Sequence, residues 1–301
     1  MIIPDYLKKG DTIGIVSTAR KISPQEIALS VEEFEKWGLK VVFGEDLFNV
    51  YNQFAGTDEQ RLLDFQKMLD APQVKAIICA RGGYGTIRII DRIDFSQFRE
   101  NPKWIAGFSD ITVLHSHIQQ NFSIATLHCA MPINFSPDAS SNAVETLRKA
   151  LFGENISYVA EGSPLNRPGE GKGVITGGNL SILSNLSGTV SQVNTKGKIL
   201  LLEDLDEYLY HIDRMMFNLK RIGFLENLSG LIVGGMNDMR DNTVPFGKSA
   251  QEIIAEAVKQ FSFPVCFNFP SGHIKENHAV ALGKEVLLEV TTEESRLNYI
   301  P

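Results

Sequence analysis

Ser109, at the joint between an apolar run and a helical pattern, is the best-placed nucleophile in this 301-residue chain. Trp104 to Phe108 reads as a short buried strand. Asp110 to Ile118 reads as a helix, with Ile111, Leu114 and Ile118 at helical spacing. A serine in a sharp strand-to-helix turn projects its hydroxyl outward, beside free helix N–H groups that can hold an oxyanion. The usual elbow is Gly-x-Ser-x-Gly; here Gly107 is present and Ile111 replaces the second glycine, so the match is partial. An ordinary helix cap explains the same serine, because serine is a favoured cap. At this point both readings stand.

A serine nucleophile needs a base within hydrogen-bond reach and an acid that orients the base. The six histidines are His115, His117, His128, His211, His273 and His278. His115 and His117 lie on the helix after Ser109 and are expected to face solvent or the helix flank. His128 ends a strand and is one candidate base. His211 lies at a helix start. His273 follows Ser271-Gly272 in a turn just past a strand; it is either an exposed turn residue or a functional one. Glu203 closes the apolar strand Ile199 to Leu202, at the carboxyl edge where α/β sites gather. Asp204, Asp206 and Glu207 follow it. They read as a solvated acidic loop in preference to a metal site, since no histidine or regular acidic spacing completes one. Arg81-Gly82-Gly83-Tyr84-Gly85 joins a strand to a helix. It has neither dinucleotide-binding nor P-loop spacing. It reads as a turn whose backbone N–H approaches a substrate closely, which glycine permits.

The elements around these residues alternate. Ile13 to Val16, Val41 to Phe43, Val74 to Ala80 and Ile124 to Leu127 are predicted strands. Ser23-Pro24-Gln25-Glu26 is a capping box that opens a helix ending at Gly38, and Asp58 starts another. Strand–helix alternation predicts a doubly wound α/β domain over residues 1–152. Gly153, Gly162, Pro164, Pro168, Gly169, Gly171 and Gly173 then interrupt any periodicity, so 153–173 is expected to be a linker. Residues 174–301 read as a second, mixed α/β domain. Two domains also suit the length, at roughly 150 residues each.

A net charge of −7 argues against a nucleic-acid partner. The N-terminus lacks an apolar stretch of signal-peptide length, and no run approaches the ~20 residues of a membrane span. Cys79, Cys129 and Cys266 are scattered in apolar runs, as reduced core residues of a cytoplasmic protein would be.

Five segments in order give the chain a resemblance to the LD-carboxypeptidases, serine peptidase family S66. They are Arg81-Gly82-Gly83-Tyr84-Gly85, Gly107-Phe108-Ser109-Asp110, Gly177-Gly178-Asn179-Leu180, Leu202-Glu203-Asp204 with Ile212-Asp213-Arg214-Met215, and Gly272-His273 with Asn277 and Gly283. The resemblance implies a flavodoxin-like N-terminal domain with a parallel sheet, and a C-terminal α/β domain containing a small β-barrel. It implies a Ser109–Glu203–His273 triad, with the N–H groups of Gly83 and Asp110 as oxyanion donors and no metal or cofactor. It further implies a cytoplasmic homodimer that releases D-Ala from a murein tetrapeptide during cell-wall recycling. Other members cleave a peptidyl-nucleotide antibiotic; they tend to carry an added aromatic loop, for which no insertion is evident here. A non-catalytic ligand-binding α/β protein and a metal-dependent hydrolase are the readings from other classes. One departure from the family is His128-Cys129-Ala130-Met131, where His-Gly-Pro-Met is common.

Overall fold

The computed structural model describes residues 1–300. The first sheet is built from β1 (Thr12–Val16), β2 (Lys40–Phe43), β3 (Val74–Cys79), β4 (Trp104–Gly107) and β5 (Thr126–His128). These run parallel in the order β2-β1-β3-β4-β5, the flavodoxin-like order. The helices between them are α1 (Pro24–Lys36), α2 (Asp58–Asp70), α3 (Ser96–Glu100) and α4 (Thr112–Phe122), with α5 (Ser141–Phe152) after β5. Both long early helices start where the sequence provides reciprocal caps, Ser23 with Glu26 and Thr57 with Gln60.

Alternate strand residues feed two cores, which is why β3 is apolar almost throughout. Ile13, Ile15, Ala76, Ile78 and Trp104 pack with Ile27 and Phe34 of α1 and Leu147 and Leu151 of α5. Ile77, Cys79 and Ile105 face the other way, against Leu62 and Phe65 of α2 and Leu114 and Ile118 of α4.

The second sheet takes β6 (Ser157–Glu161), β7 (Gly169–Asn179), β8 (Ile199–Leu205), β9 (Gly230–Asn237) and β10 (Val265–Cys266). Three strands follow: β11 (Val280–Leu282), β12 (Glu285–Val290) and β13 (Glu294–Tyr299). The sheet order is β10-β9-β8-β7-β12-β13-β6, parallel from β10 to β7 and antiparallel beyond. Paired backbone bonds between Arg167 and Val265 bring the chain ahead of β7 back against β10, so the sheet curls toward closure. One face is covered by α6 (Leu180–Asn185), α7 (Leu209–Arg221) and α8 (Ala250–Ala257) through Leu183, Ile212, Met216 and Ile254.

The organisation differs from expectation in two places. Residues 153–173 are not an irregular connection: they hold β6 and the start of β7. The later part of the chain also returns a strand to the first sheet, because β11 pairs antiparallel with β5. Val280 and Leu282 therefore share a core with Leu127, Leu201 and Ile232. Cys79, Cys129 and Cys266 are free and buried, as expected. No helix among the described residues is long and apolar enough to cross a membrane.

Candidate active site

Ser109 sits at φ +64°, a left-handed conformation that an L residue other than glycine adopts only at a cost of ~1–2 kcal/mol. The helix-cap reading fails here. Ser109 opens a single 3-10 turn, Ser109–Ile111, and the extended residue ahead of the turn is Phe108. Such strain at a half-buried serine in a strand-to-helix turn is the geometry of a nucleophile elbow.

Two contacts fix the elbow. The Gly107 carbonyl accepts the Cys129 N–H at 3.2 Å and the His115 ring Nε2–H at 2.9 Å. The buried Asp110 carboxylate accepts the Thr86 N–H at 2.9 Å, tying the glycine-rich turn to the elbow. Burial pushes the Asp110 carboxyl above its ordinary range, against the hydrogen bonds from Thr86. Gly82 lies directly beside the serine: a Cβ there would stand 3.0 Å from Ser109 Cβ and 3.2 Å from its Oγ. Among the described residues, neither the Gly83 nor the Asp110 N–H takes part in a turn or loop hydrogen bond.

Glu203 ends up opposite. It lies in β8, fully buried, and its Oε2 accepts from His273 Nδ1 at 2.6 Å and from the His273 backbone N–H at 3.2 Å. A carboxylate only accepts, so Nδ1 carries the ring proton and Nε2 keeps its lone pair. Gly272, at φ +103°, makes this approach possible, since a Cβ there would fall 2.6 Å from Glu203 Cβ and 2.7 Å from Oε2. Asn277 Oδ1 accepts the Gly272 N–H at 2.8 Å and holds the loop closed.

Burial alone would raise the Glu203 carboxyl. The neighbouring imidazoles of His128 and His273 outweigh it and hold the group down at about 2. The same pairing works the other way on His273. Burial pulls the imidazole down, but the Glu203 hydrogen bond and charge lift it above its ordinary value.

The His273 ring packs against Phe108, the residue before the serine, at 4.7 Å between centroids. Glu203 and His273 thus reach the elbow from the second sheet. No hydrogen bond to the Ser109 hydroxyl is made among the described residues. His128 also lies against Phe108, at 5.8 Å between centroids, with Nε2 3.9 Å from Glu203 Oε1. That is beyond a hydrogen bond, and both atoms are buried without a partner.

Several histidine and acid placements differ from expectation. His115 and His117 are both buried, and His117 reaches the second half of the chain, with Nδ1 2.8 Å from Ser191 Oγ. Asp204 is no solvated loop residue. It is buried and accepts from Asn179 Nδ2, Ser181 N–H and Leu205 N–H, each at 2.9 Å. Burial and the Glu203 charge push its carboxyl up to about 7. Asp206 pairs with Arg240 and Glu207 with His211. No group of three or more potential metal ligands clusters among the described residues. Asn179 was singled out only as part of a motif. Its backbone N–H donates to Thr112 Oγ1 at 3.0 Å, joining the nucleophile's helix to the strand pair that carries Glu203. A small cavity of about 140 Å³ beside the His273 loop is lined by Ala130, Phe135, Ile274 and Asn277, so the Ala130 departure shapes its wall.

The LD-carboxypeptidase N-terminal domain model matches residues 13–129, and its C-terminal counterpart matches 172–288. A Bacillus subtilis protein described as a probable murein peptide carboxypeptidase is 37% identical, over 95% of this chain and 91% of its own. The chain belongs to the LD-carboxypeptidase family. It is therefore a hydrolase of the carboxypeptidase type. The LD-carboxypeptidase fold is shared by a crystal structure of muramoyltetrapeptide carboxypeptidase from Oxalobacter formigenes, with a TM-score of 0.88 at 23% identity. That match covers 96% of this chain and 99% of the other. The microcin C7 self-immunity protein MccF, solved with glutamyl sulfamoyl guanosine, has the fold as well. Its TM-score is 0.87 at 21% identity, covering 99% and 98% of the two chains. The four segments carrying Gly83, Ser109, Glu203 and His273 fall within the two matched LD-carboxypeptidase regions.

Proposed function

We propose that this protein is a serine LD-carboxypeptidase that releases the terminal D-Ala from murein tetrapeptide. The observation that carries the reading is the buried Glu203–His273 pair, 2.6 Å apart, set against an elbow that holds Ser109 at φ +64°. The murein peptide description of the Bacillus subtilis relative supports the substrate class.

In the proposed reaction, His273 Nε2 takes the Ser109 proton as Oγ bonds to the scissile carbonyl carbon. The N–H groups of Gly83 and Asp110 hold the resulting oxyanion. The C–N bond then breaks as the imidazolium returns its proton to the nitrogen, and D-Ala leaves as a free amine. Water attacks the acyl-enzyme with the same base and regenerates Ser109. Glu203 keeps His273 in the tautomer that presents Nε2 and stabilises the imidazolium between the two transfers. No metal or cofactor enters these steps. The protein acts as a cytoplasmic homodimer in cell-wall recycling.

The test is to incubate the protein with tetrapeptides containing lysine or diaminopimelate before D-Ala and to follow the products by mass spectrometry. Release of one D-Ala from either, abolished by prior reaction with a fluorophosphonate, is the expected result. Turnover of an aminoacyl-sulfamoyl nucleotide with neither tetrapeptide cleaved would overturn the murein substrate. Absence of an activated serine would overturn the mechanism.

A further inference from the structure

A carboxypeptidase must read the free carboxylate at the end of its substrate, and none of the groups described above does so. Arg20 lies against the glycine-rich turn beside Ser109. It follows β1 at the carboxyl edge of the first sheet, and its backbone N–H donates to the Gly82 carbonyl at 3.4 Å. Its side-chain stem crosses the face of Gly83: a Cβ on Gly83 would lie 2.1 Å from Arg20 Cδ and 2.5 Å from Cγ. Gly83, at φ +111°, keeps that space open. The stem of Arg20 thus lies along the turn that flanks Ser109, since Gly82 abuts Ser109 Oγ, and leaves the guanidinium free at its end.

The neighbouring arginines are committed elsewhere. Arg81 lies 3.5 Å from Glu26 and 3.5 Å from the Lys21 carbonyl. Arg61 and Arg88 are both held by Asp58. Among the described residues, no carboxylate or other acceptor engages the Arg20 side chain, and it is exposed.

Substrate geometry matches this position. Two atoms separate the scissile carbonyl carbon from the terminal carboxylate carbon, so the two carbons are at most about 4 Å apart by standard backbone dimensions. A carbonyl bonded to Ser109 Oγ, with its oxygen on the Gly83 N–H, puts the carboxylate within a side chain's reach of the same turn. A guanidinium presents two parallel N–H donors to two carboxylate oxygens, which an ammonium does not.

We propose that Arg20 binds the free α-carboxylate of the departing C-terminal residue and so restricts cleavage to the last bond of the peptide. The proposal rests on the serine carboxypeptidase reading above. The ligand class is an α-carboxylate one residue beyond the scissile bond, whatever side chain that residue carries.

The test compares the tetrapeptide with its C-terminal amide, on the wild type, Arg20→Ala and Arg20→Lys. The wild type is expected to prefer the free acid strongly. Arg20→Ala should lower kcat/KM for the acid by about 100-fold and shrink the acid-to-amide ratio with it, the effect of losing a bidentate charged pair. Arg20→Lys should recover part of the preference, through charge without the fork. All three should share one melting temperature, because the side chain is exposed. An undiminished acid-to-amide ratio in Arg20→Ala would overturn the proposal and leave the carboxypeptidase reading standing. A wild type that cleaves neither peptide would overturn that reading, and the proposal with it.

Discussion

Replacing Glu203 by Gln keeps the size of the side chain and removes its charge, which isolates what the carboxylate does for His273. With Nδ1 and Oε2 2.6 Å apart, the centres of charge lie about 4 Å apart once His273 is protonated. At an effective dielectric of ~20, that pair is worth about 4 kcal/mol, or roughly 10³-fold in the protonation equilibrium of the imidazole. The imidazolium exists only between the two proton transfers, so this stabilisation acts on the transition state. Gln can also turn its amide NH₂ toward Nδ1 and favour the wrong tautomer. Together these should lower kcat/KM by about 10³- to 10⁴-fold.

The pH profile gives an independent readout. Burial pulls His273 down, and the Glu203 hydrogen bond and charge more than offset it. His273 must be neutral to accept the serine proton. The wild-type acidic limb should therefore lie above the ordinary histidine value, and that of Glu203→Gln below it. The assay is D-Ala release across the neutral range for both proteins. A variant that keeps more than about a tenth of wild-type turnover, or one whose acidic limb does not move, would refute the assigned role of Glu203.

Ser109→Ala and Ser109→Gly should each reduce turnover by about 10⁴-fold or more in the D-Ala assay. Calorimetry should find the glycine variant more stable than the alanine one by about 0.5–1 kcal/mol, since glycine relieves the +64° strain at some entropic cost. His273→Ala should lose several orders of magnitude in kcat/KM and His128→Ala much less, because only His273 is hydrogen-bonded to Glu203; the reverse ranking would make His128 the base. Gly272→Ala should break the acid–base pair by placing a methyl group against Glu203, with turnover falling at least 100-fold as in other losses of triad geometry. Acid unfolding of the wild type should show Glu203 stabilising the fold at pH values above its ordinary 4.5, with that contribution lost as pH falls through about 2.

The first sheet was legible because its signals are local. The Ser23–Glu26 cap, the apolar run of β3 and the step from Gly107 to a helix each fit within a few residues. The candidate site was legible through family motifs, while its geometry depends on approach between distant segments. Gly171 shows why β7 was missed. It punctuates the sequence like a turn glycine, yet a Cβ there would meet the Ser229 carbonyl oxygen at 2.0 Å, so it is a strand residue under a close backbone contact. His115 and His117 were misplaced for a related reason. Only Ile111, Leu114 and Ile118 mark an apolar stripe, but α4 is enclosed by both sheets' layers and every residue from Thr112 to Gln119 is buried. Asp204 looked solvated beside Asp206 and Glu207, because nothing in its own segment announces the Asn179 amide and Ser181 N–H that receive it.

The return of β11 to pair with β5 sets an order of assembly for the first sheet. Until residues 280–282 are in place, β5 stays an open edge with unmet hydrogen-bonding groups. The edge of the first sheet is therefore completed by a segment more than 150 residues further along the chain, a pairing of high sequence separation that forms late in folding. Without β11, the β5 edge would offer the unpaired backbone groups through which sheets join edge to edge.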